Sequence, residues 1–404
     1  MSVKGNLVVG QSGGPTAVIN NSLVGVIHEA MEHPEIEGIY GMVHGIAGIL
    51  NEEFIDLRRE DAQTLEILRN TPASALGTVR YRVRDADYER LLEVFQLYNV
   101  RYFFYIGGND SMDTTNKISL IAQREGYELH AIGVPKTVDN DLMMTDHCPG
   151  YGSAARFVAS AIRNTAMDTE AMGDSGPIKL MEIMGRHAGW LTAAAALARE
   201  NAGDPPHLIY VPECPVTLDK IVEDVRTAYE RHGYCVAAVS EGVKDPSGRE
   251  LGETAAPGDV DAFGHKALGG AVDVIAEAIR AKIGIRARMD KPGYLQRSFA
   301  ELMSSVDREE AYAVGRAAVR AAVQGETGKM ITLARRPGPT YVCETGLAPL
   351  EAVANKERVM PGEYLSVECN DVTQAFIEYA RPLIGGPLPK YARLAKYPVP
   401  KRRR

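Results

Sequence analysis

"FYIGGNDSMDT", residues 104–114, is the stretch on which the reading of this chain turns. An apolar run stops at Gly107-Gly108, and an amide, a carboxylate and a hydroxyl follow at Asn109, Asp110 and Ser111. Strands covered on both faces read as continuously apolar, and in open parallel sheets ligands bind where such strands end. Two glycines at that point let a ligand lie against the backbone. The pattern recurs. Apolar, β-rich runs stand at "NLVVG" (6–10), "IYGMVHG" (39–45), "RYFFYIGG" (101–108), "LHAIGVPK" (129–136), "IKLMEIMG" (178–185), "HLIYVPE" (207–213) and "YCVAAVSEG" (234–242). Helical patterns lie between them. In "TLDKIVEDVRTAYERHG" (217–233), Ile221, Val222, Val225, Ala228 and Tyr229 form one face, with Thr217 as N-cap and Gly233 as stop. In "DYERLLEVFQLYNV" (87–100), Leu91, Leu92, Val94, Phe95 and Tyr98 face inward. Strand alternating with helix implies an α/β protein with parallel sheets.

The totals set the frame. A chain of 404 residues fits two domains, with a boundary near 150 around "CPGYGSA". The net charge of −8 argues against a nucleic-acid binder, so phosphate recognition has to rest on locally gathered Arg and Lys. Five widely spaced cysteines at 148, 214, 235, 343 and 369 suit a reducing compartment, with neither a disulfide framework nor a zinc knuckle. The start "MSVKGNLVVGQSGG" has too short an apolar run for a signal peptide, and "AGWLTAAAALA" (188–198) reads as a buried helix rather than a membrane span. A cytoplasmic protein is expected. The tail "YPVPKRRR" reads as a solvated end.

Several segments carry possible chemistry, each with a plain structural alternative. "VVGQSGGPTAVIN" (8–20) reads as strand, glycine turn and helix start, either a phosphate cradle at Gly13-Gly14 or a tight connection. Neither a G-x-G-x-x-G fingerprint nor a Walker A loop is present. "GVPKTVDNDLM" (133–143) places Lys136, Thr137, Asp139, Asn140 and Asp141 directly after a strand. Asp139 and Asp141 share a face if the segment is extended, which suits a base beside a metal-holding carboxylate; an Asx-rich turn is the alternative. "MEIMGRHAGW" (181–190) ends a strand at Gly185-Arg186, and a guanidinium there suits phosphate as well as it suits a surface. "RARMDKPGYLQRS" (286–298) gathers Arg286, Arg288, Lys291 and Arg297, and "ALGTVRYR" (75–82) offers Arg80 and Arg82. His28 and His33 miss the metalloprotease spacing, and no G-x-S-x-G elbow exists.

Taken in order, "GQSGGPTAVIN", "GTVRYR", "GGNDS", "PKTVDND", "MEIMGRHAGW", "SEG" and "GYLQRS" resemble the phosphofructokinase family, and specifically its pyrophosphate-dependent branch. The likeness spans about the first three hundred residues. It implies two similar Rossmann-like three-layer α/β domains, with mostly parallel sheets and an active-site cleft between them. The expected division is residues 1–150 plus roughly 298–335 for the donor, 151–297 for the sugar phosphate, and 336–404 as a C-terminal extension packing on both. The implied reaction moves a phosphoryl group reversibly from diphosphate to the C1 hydroxyl of fructose 6-phosphate. Asp139 is then the general base, Gly13, Arg80 and Lys136 meet diphosphate, and Asp110, Lys136 and Arg186 complete the catalytic set. Thr137, Val138, Asp139, Met184, Gly185, Arg186, Glu241, Arg288, Tyr294, Leu295, Gln296 and Arg297 are the expected sugar-phosphate contacts, Arg288 reaching from a neighbouring subunit. Mg²⁺ is implied as cofactor, with Asn109 and Asp141 as its ligands, and the assembly implied is a homodimer or a dimer of dimers.

ATP-using members of the family carry Gly where Asp110 and Lys136 stand. Asp110 adds bulk and negative charge where a nucleotide's α-phosphate would lie, and Lys136 supplies a compact positive charge for the transferring group. This chain departs from its relatives at Asn109, where most have Asp, and at Tyr294, where many ATP users have His. Asp139 is expected to be an ordinary aspartate, with a pKa of about 4. The competing readings are an ATP-dependent enzyme that tolerates Asp110, a silent sugar-phosphate-binding subunit, and a nicotinamide dehydrogenase, which the missing fingerprint disfavours.

Overall fold

The computed structural model describes residues 3–79, 81, 83–253 and 270–402. Among them are eleven strands: β1 (Gly5–Gln11), β2 (Ile36–Met42), β3 (Phe54–Asp56), β4 (Val100–Gly107), β5 (His130–Pro135), β6 (Ile178–Ile183), β7 (Leu208–Tyr210), β8 (Cys235–Ser240), β9 (Arg288–Asp290), β10 (Lys329–Arg335) and β11 (Cys343–Pro349). They form a seven-stranded sheet of order β11-β10-β5-β4-β1-β2-β3 and a four-stranded sheet of order β7-β8-β6-β9. Every pairing is parallel except β2–β3 and β10–β11, both at the edges of the larger sheet.

The inner strands are largely apolar because each face meets its own layer of helices. On β4, Tyr102, Phe104 and Ile106 enter one core with Leu7 and Val9 of β1. Phe103 and Tyr105 enter another with Val8. Helices Ile19–Met31 and Ser305–Val323 supply the first, and helices Asp85–Leu97 and Asn109–Arg124 the second. The smaller sheet repeats the arrangement, with Met181 and Ile183 facing helix Tyr151–Met172 while Ile178 and Leu180 face helices Leu218–His232 and Ala271–Ile283. Alternation between two dry faces is the two-residue period of a strand made visible. Thr217 caps helix Leu218–His232 by accepting the Lys220 N–H at 3.2 Å, and Gly233 ends it at φ 78°, both as the sequence predicts.

The sequence "AGWLTAAAALA" is a buried helical turn followed by a 3₁₀ stretch, Trp190–Ala193 and Ala194–Ala198. No helix among the described residues is long and apolar enough to cross a membrane. The last sheet pair, β10–β11, takes the chain beyond residue 335 into the larger sheet, while Phe376, Ala380, Leu383 and Ile384 pack with helix Tyr151–Met172. One expectation is corrected. Cys214 and Cys369 form a disulfide with Cα atoms 5.4 Å apart, whereas Cys148, Cys235 and Cys343 are free. The pair is separated by 155 residues, so spacing in the sequence carried no sign of it.

Candidate active site

The C-terminal ends of both sheets open onto one cleft of about 440 Å³. From the larger sheet come Ser12, Gly13 and Gly14 after β1, Gly108–Ser111 after β4, and Lys136–Asp139 with Asp141 after β5. From the smaller sheet come Met184 and Arg186 after β6 and Glu241 after β8, with Arg297 joining them from the segment before helix Ser305–Val323. Residues as far apart in sequence as Ser12 and Arg297 meet there, chiefly because parallel strands present their carboxyl ends on one edge.

The stretch 104–114 behaves as its glycines suggest. β4 ends at Gly107, Gly108 caps, and helix Asn109–Arg124 starts at once with Asp110 in its first turn. The amides of that turn face the cleft as an anion-favouring helix end. The β1 turn is different, since helix Ile19–Met31 begins five residues after Gly14. Here Gly13, at φ 71°, and Gly14 present loop amides rather than a helix terminus. A side chain at Gly14 would displace the Arg297 guanidinium, which lies 2.3 Å from where its Cβ would stand.

Lys136 is buried, and its ammonium donates to the Gly14 carbonyl at 2.8 Å. Burial, aided by the Arg297 charge, lowers its pKa to about 8, against the pull of Asp139 and Asp141. Thr137 accepts the Asp139 N–H at 3.1 Å. The Asp139 carboxyl is pushed up to about 7 by burial and by the charges of Asp141 and Glu241, with Lys136 and Arg297 opposing. This corrects the expectation of an ordinary aspartate near 4, and makes Asp139 a stronger base than its sequence context suggests. Burial likewise raises Asp141 and Glu241.

Asn109 Nδ2 donates to Asp141 Oδ2 at 3.2 Å, while the Oδ1 atom of each is buried without a hydrogen-bond partner. Orphaned buried oxygens are costly unless something binds them. Such oxygens on two hydrogen-bonded side chains fit a hard divalent cation, which takes carboxylate and amide oxygen alike.

The expected sugar-phosphate residues divide. Val138, Met184, Arg186, Glu241 and Arg297 line the cleft, and Glu241 accepts the Gly185 N–H at 3.3 Å. Arg297 stacks its guanidinium 4.2 Å from the Tyr294 ring, leaving Tyr294 65% and Leu295 55% exposed. Gln296 is buried, and its side-chain oxygen accepts the Met184 N–H at 3.1 Å, so it braces the β6 end rather than facing the cleft. Arg288 is not brought to this cleft. It pairs with Lys179 on β6 and packs over Gly176, roughly 20 Å of strand from Gly185. Lys291 pairs with Asp273 instead. Arg80 and Arg82 lie outside the described residues.

Three cleft residues were not singled out in the sequence, although His187 and Tyr105 lie inside stretches quoted there. His187 and Glu357 line its rim, Nδ1 to Oε1 at 3.1 Å, and Tyr105 lies at its floor with its hydroxyl pKa raised by burial. Glu357 comes from the C-terminal segment, where no motif was evident.

This is the cleft of a phosphoryl-transfer enzyme, and the phosphofructokinase pattern matches residues 6–322, so the chain belongs to the phosphofructokinase family. Within that family it is 43% identical to the pyrophosphate–fructose 6-phosphate 1-phosphotransferase of Rhodospirillum rubrum, over 97% of each chain. It is 41% identical to the enzyme of the same name from Halomonas elongata, over 98% of this chain and 97% of that one. Among solved structures, the pyrophosphate-dependent phosphofructokinase of Marinobacter aquaeolei superimposes with a TM-score of 0.86 at 38% identity, covering 100% of this chain and 99% of the other.

Proposed function

We propose that this protein transfers a phosphoryl group from diphosphate to the C1 hydroxyl of fructose 6-phosphate, reversibly, giving fructose 1,6-bisphosphate and phosphate. The observation that carries the reading is the placement of Asp110 and Lys136 on adjoining strand ends of the cleft that also holds Asp139. A carboxylate in the first helical turn repels and crowds a nucleotide's inner phosphate, while leaving room for a bare inorganic donor. Full-length relatives carrying the diphosphate-dependent name support the same donor.

In this reading Gly13 and Gly14 offer amides to the donor, with Arg80 as a further contact. Lys136 sits under the phosphoryl group as it moves, and its depressed pKa leaves a partly dischargeable cation at neutral pH. Arg186, Tyr294 and Arg297 hold the sugar phosphate, Glu241 orients its hydroxyls, and Asp139 takes the C1 hydroxyl proton. Asn109 and Asp141 would hold Mg²⁺, which supplies charge neutralisation on the phosphoryl oxygens. The larger sheet, residues 1–150 with roughly 298–335, serves the donor, and 151–297 serves the sugar. Arg288, remote from its own cleft, fits an assembly of at least two chains in which it serves a neighbour.

The test is donor choice. Purified enzyme with fructose 6-phosphate and Mg²⁺ is expected to turn over with diphosphate and to be at least ~10²-fold poorer in kcat/KM with ATP, a difference of about 3 kcal/mol. Turnover with ATP alone contradicts the reading.

A further inference from the structure

The family pattern ends at residue 322, yet a residue well beyond it holds the loop that carries the two cleft aspartates. Arg358 sits on the C-terminal segment, which joins the loop through a Leu142–Glu357 bridge. Its guanidinium donates to three main-chain carbonyls of that loop: Asn140 at 2.7 and 3.2 Å, Thr145 at 2.8 Å, and Asp146. Its own backbone N–H donates to the Asp141 carbonyl at 2.7 Å. Asn140, lying between Asp139 and Asp141, has a φ of 55°, the left-handed region that Asn enters more readily than other non-glycine residues.

The clamp is itself fixed. The Arg358 guanidinium lies 4.5 Å from the centre of the Trp190 ring, and the Trp190 indole N–H donates to the Arg358 carbonyl at 3.0 Å. Tyr379 completes it from the same C-terminal segment, its hydroxyl donating to the Asp146 carbonyl at 2.8 Å and accepting from the Asn140 amide at 2.9 Å. A planar fork satisfying three carbonyls at once cannot be replaced by the single ammonium of Lys. Without it the Asn140 and Thr145 carbonyls lose their guanidinium donors, and the left-handed Asn140 is left to its side-chain bonds with the Cys148 N–H and the Tyr379 hydroxyl.

We propose that Arg358, with Tyr379 beside it, is a positioning residue for phosphoryl transfer: the C-terminal segment sets the main chain of residues 139–146 and through it the place of Asp139 and Asp141. The inference rests on the transfer reaction proposed above and extends it, since it assigns a role in turnover to residues outside the family pattern. Neither side chain lines the cleft. The residues proposed to bind the sugar phosphate, Arg186, Glu241 and Arg297, stand on other segments, so the effect belongs to kcat rather than to sugar binding.

The experiment compares wild type, Arg358→Ala, Arg358→Lys, Tyr379→Phe and a control, Arg336→Ala, whose side chain pairs only with Glu344 on the β10–β11 hairpin. With diphosphate as donor, Arg358→Ala should lower kcat by roughly 10- to 100-fold, as expected for a reacting group displaced by about 1 Å, while KM for fructose 6-phosphate moves less than ~3-fold. Added guanidinium should raise kcat of Arg358→Ala and leave wild type unchanged. Arg358→Lys should stay nearer to Ala than to wild type, Tyr379→Phe should lose less, and Arg336→Ala nothing. A kcat within twofold of wild type in folded Arg358→Ala overturns the proposal. So does a loss confined to melting temperature, with no guanidinium rescue. If Arg358→Ala does not fold, Tyr379→Phe and Arg358→Lys decide by the same split of kcat from KM. Wild-type turnover with diphosphate is read in the same assay, so failure of the underlying reaction is seen separately.

Discussion

The two walls of the cleft are built on different terms. The wall formed after β4 and β5 is fixed: Lys136, Thr137, Val138 and Asn140 are all buried, and the loop from 139 to 146 is fastened by Arg358 and Tyr379. The side that Arg297 supplies is open: its guanidinium lies across the Tyr294 ring, and Tyr294 and Leu295, which do not line the cleft, are more than half exposed. Burial perturbs charge, so Lys136, at about 8, and Asp139, at about 7, are shifted on the fixed wall, and Glu241 is raised opposite them from the smaller sheet. The open segment contributes contact. The difference separates chemistry from capture, and each can be attacked alone.

The largest effect is expected at the fixed wall. Asp139→Ser removes the proton acceptor, and kcat in either direction should fall by roughly 10²–10⁴-fold, with KM for fructose 6-phosphate near wild type. Loss of sugar binding with turnover retained would assign Asp139 to the wrong wall. Arg297→Ala attacks the open wall. Removing one charged contact to a sugar phosphate should raise KM by roughly 10- to 100-fold and move kcat less, by steady-state kinetics. If kcat falls as far as KM rises, the walls are not separable.

A smaller effect concerns what fastens the fixed wall. His147, buried one residue past Asp146, bonds Asp146 at 2.8 Å and Glu310 at 2.7 Å. Burial opposes its charge, but those two carboxylates overcome it and lift the pKa to about 9. A raised folded-state pKa stabilises fully below the unfolded value near 6.5, and that contribution is lost as pH rises through about 9. Melting curves between pH 6.5 and 9.5 should therefore show wild type losing several degrees more than His147→Gln. Parallel losses in the two proteins would show that His147 is neutral in the folded state.

Much of this was legible in the sequence where the cause is local. The continuous apolar runs located β1, β2, β4, β5, β6, β7 and β8, because a strand between two helix layers has little polar face to display. The strands that escaped notice are β3, β9, β10 and β11, of which β3, β9 and β11 are sheet edges. β3 and β9 are only three residues long, and β11 has six of its seven residues at least partly exposed. Lys136, Asp139 and Arg186 could be found because motif and site coincide on single strand ends. Arg358, Glu357 and Tyr379 could not, since they reach the loop from more than two hundred residues away and belong to no motif. The raised Asp139 pKa was hidden for the same reason, as Glu241 and the burial that cause it are tertiary facts. The basic run 286–298 promised four cations to an anion, and the fold brings only Arg297 to this cleft.

The central claim, that Asp110 in the first turn of helix Asn109–Arg124 keeps nucleotide out and admits diphosphate, is tested most directly by kcat/KM for both donors in wild type and Asp110→Gly. Removing the carboxylate should raise kcat/KM for ATP by at least ~10-fold while that for diphosphate holds or falls. An ATP value unchanged in a folded Asp110→Gly enzyme, with wild type still preferring diphosphate, would place donor choice elsewhere in the cleft.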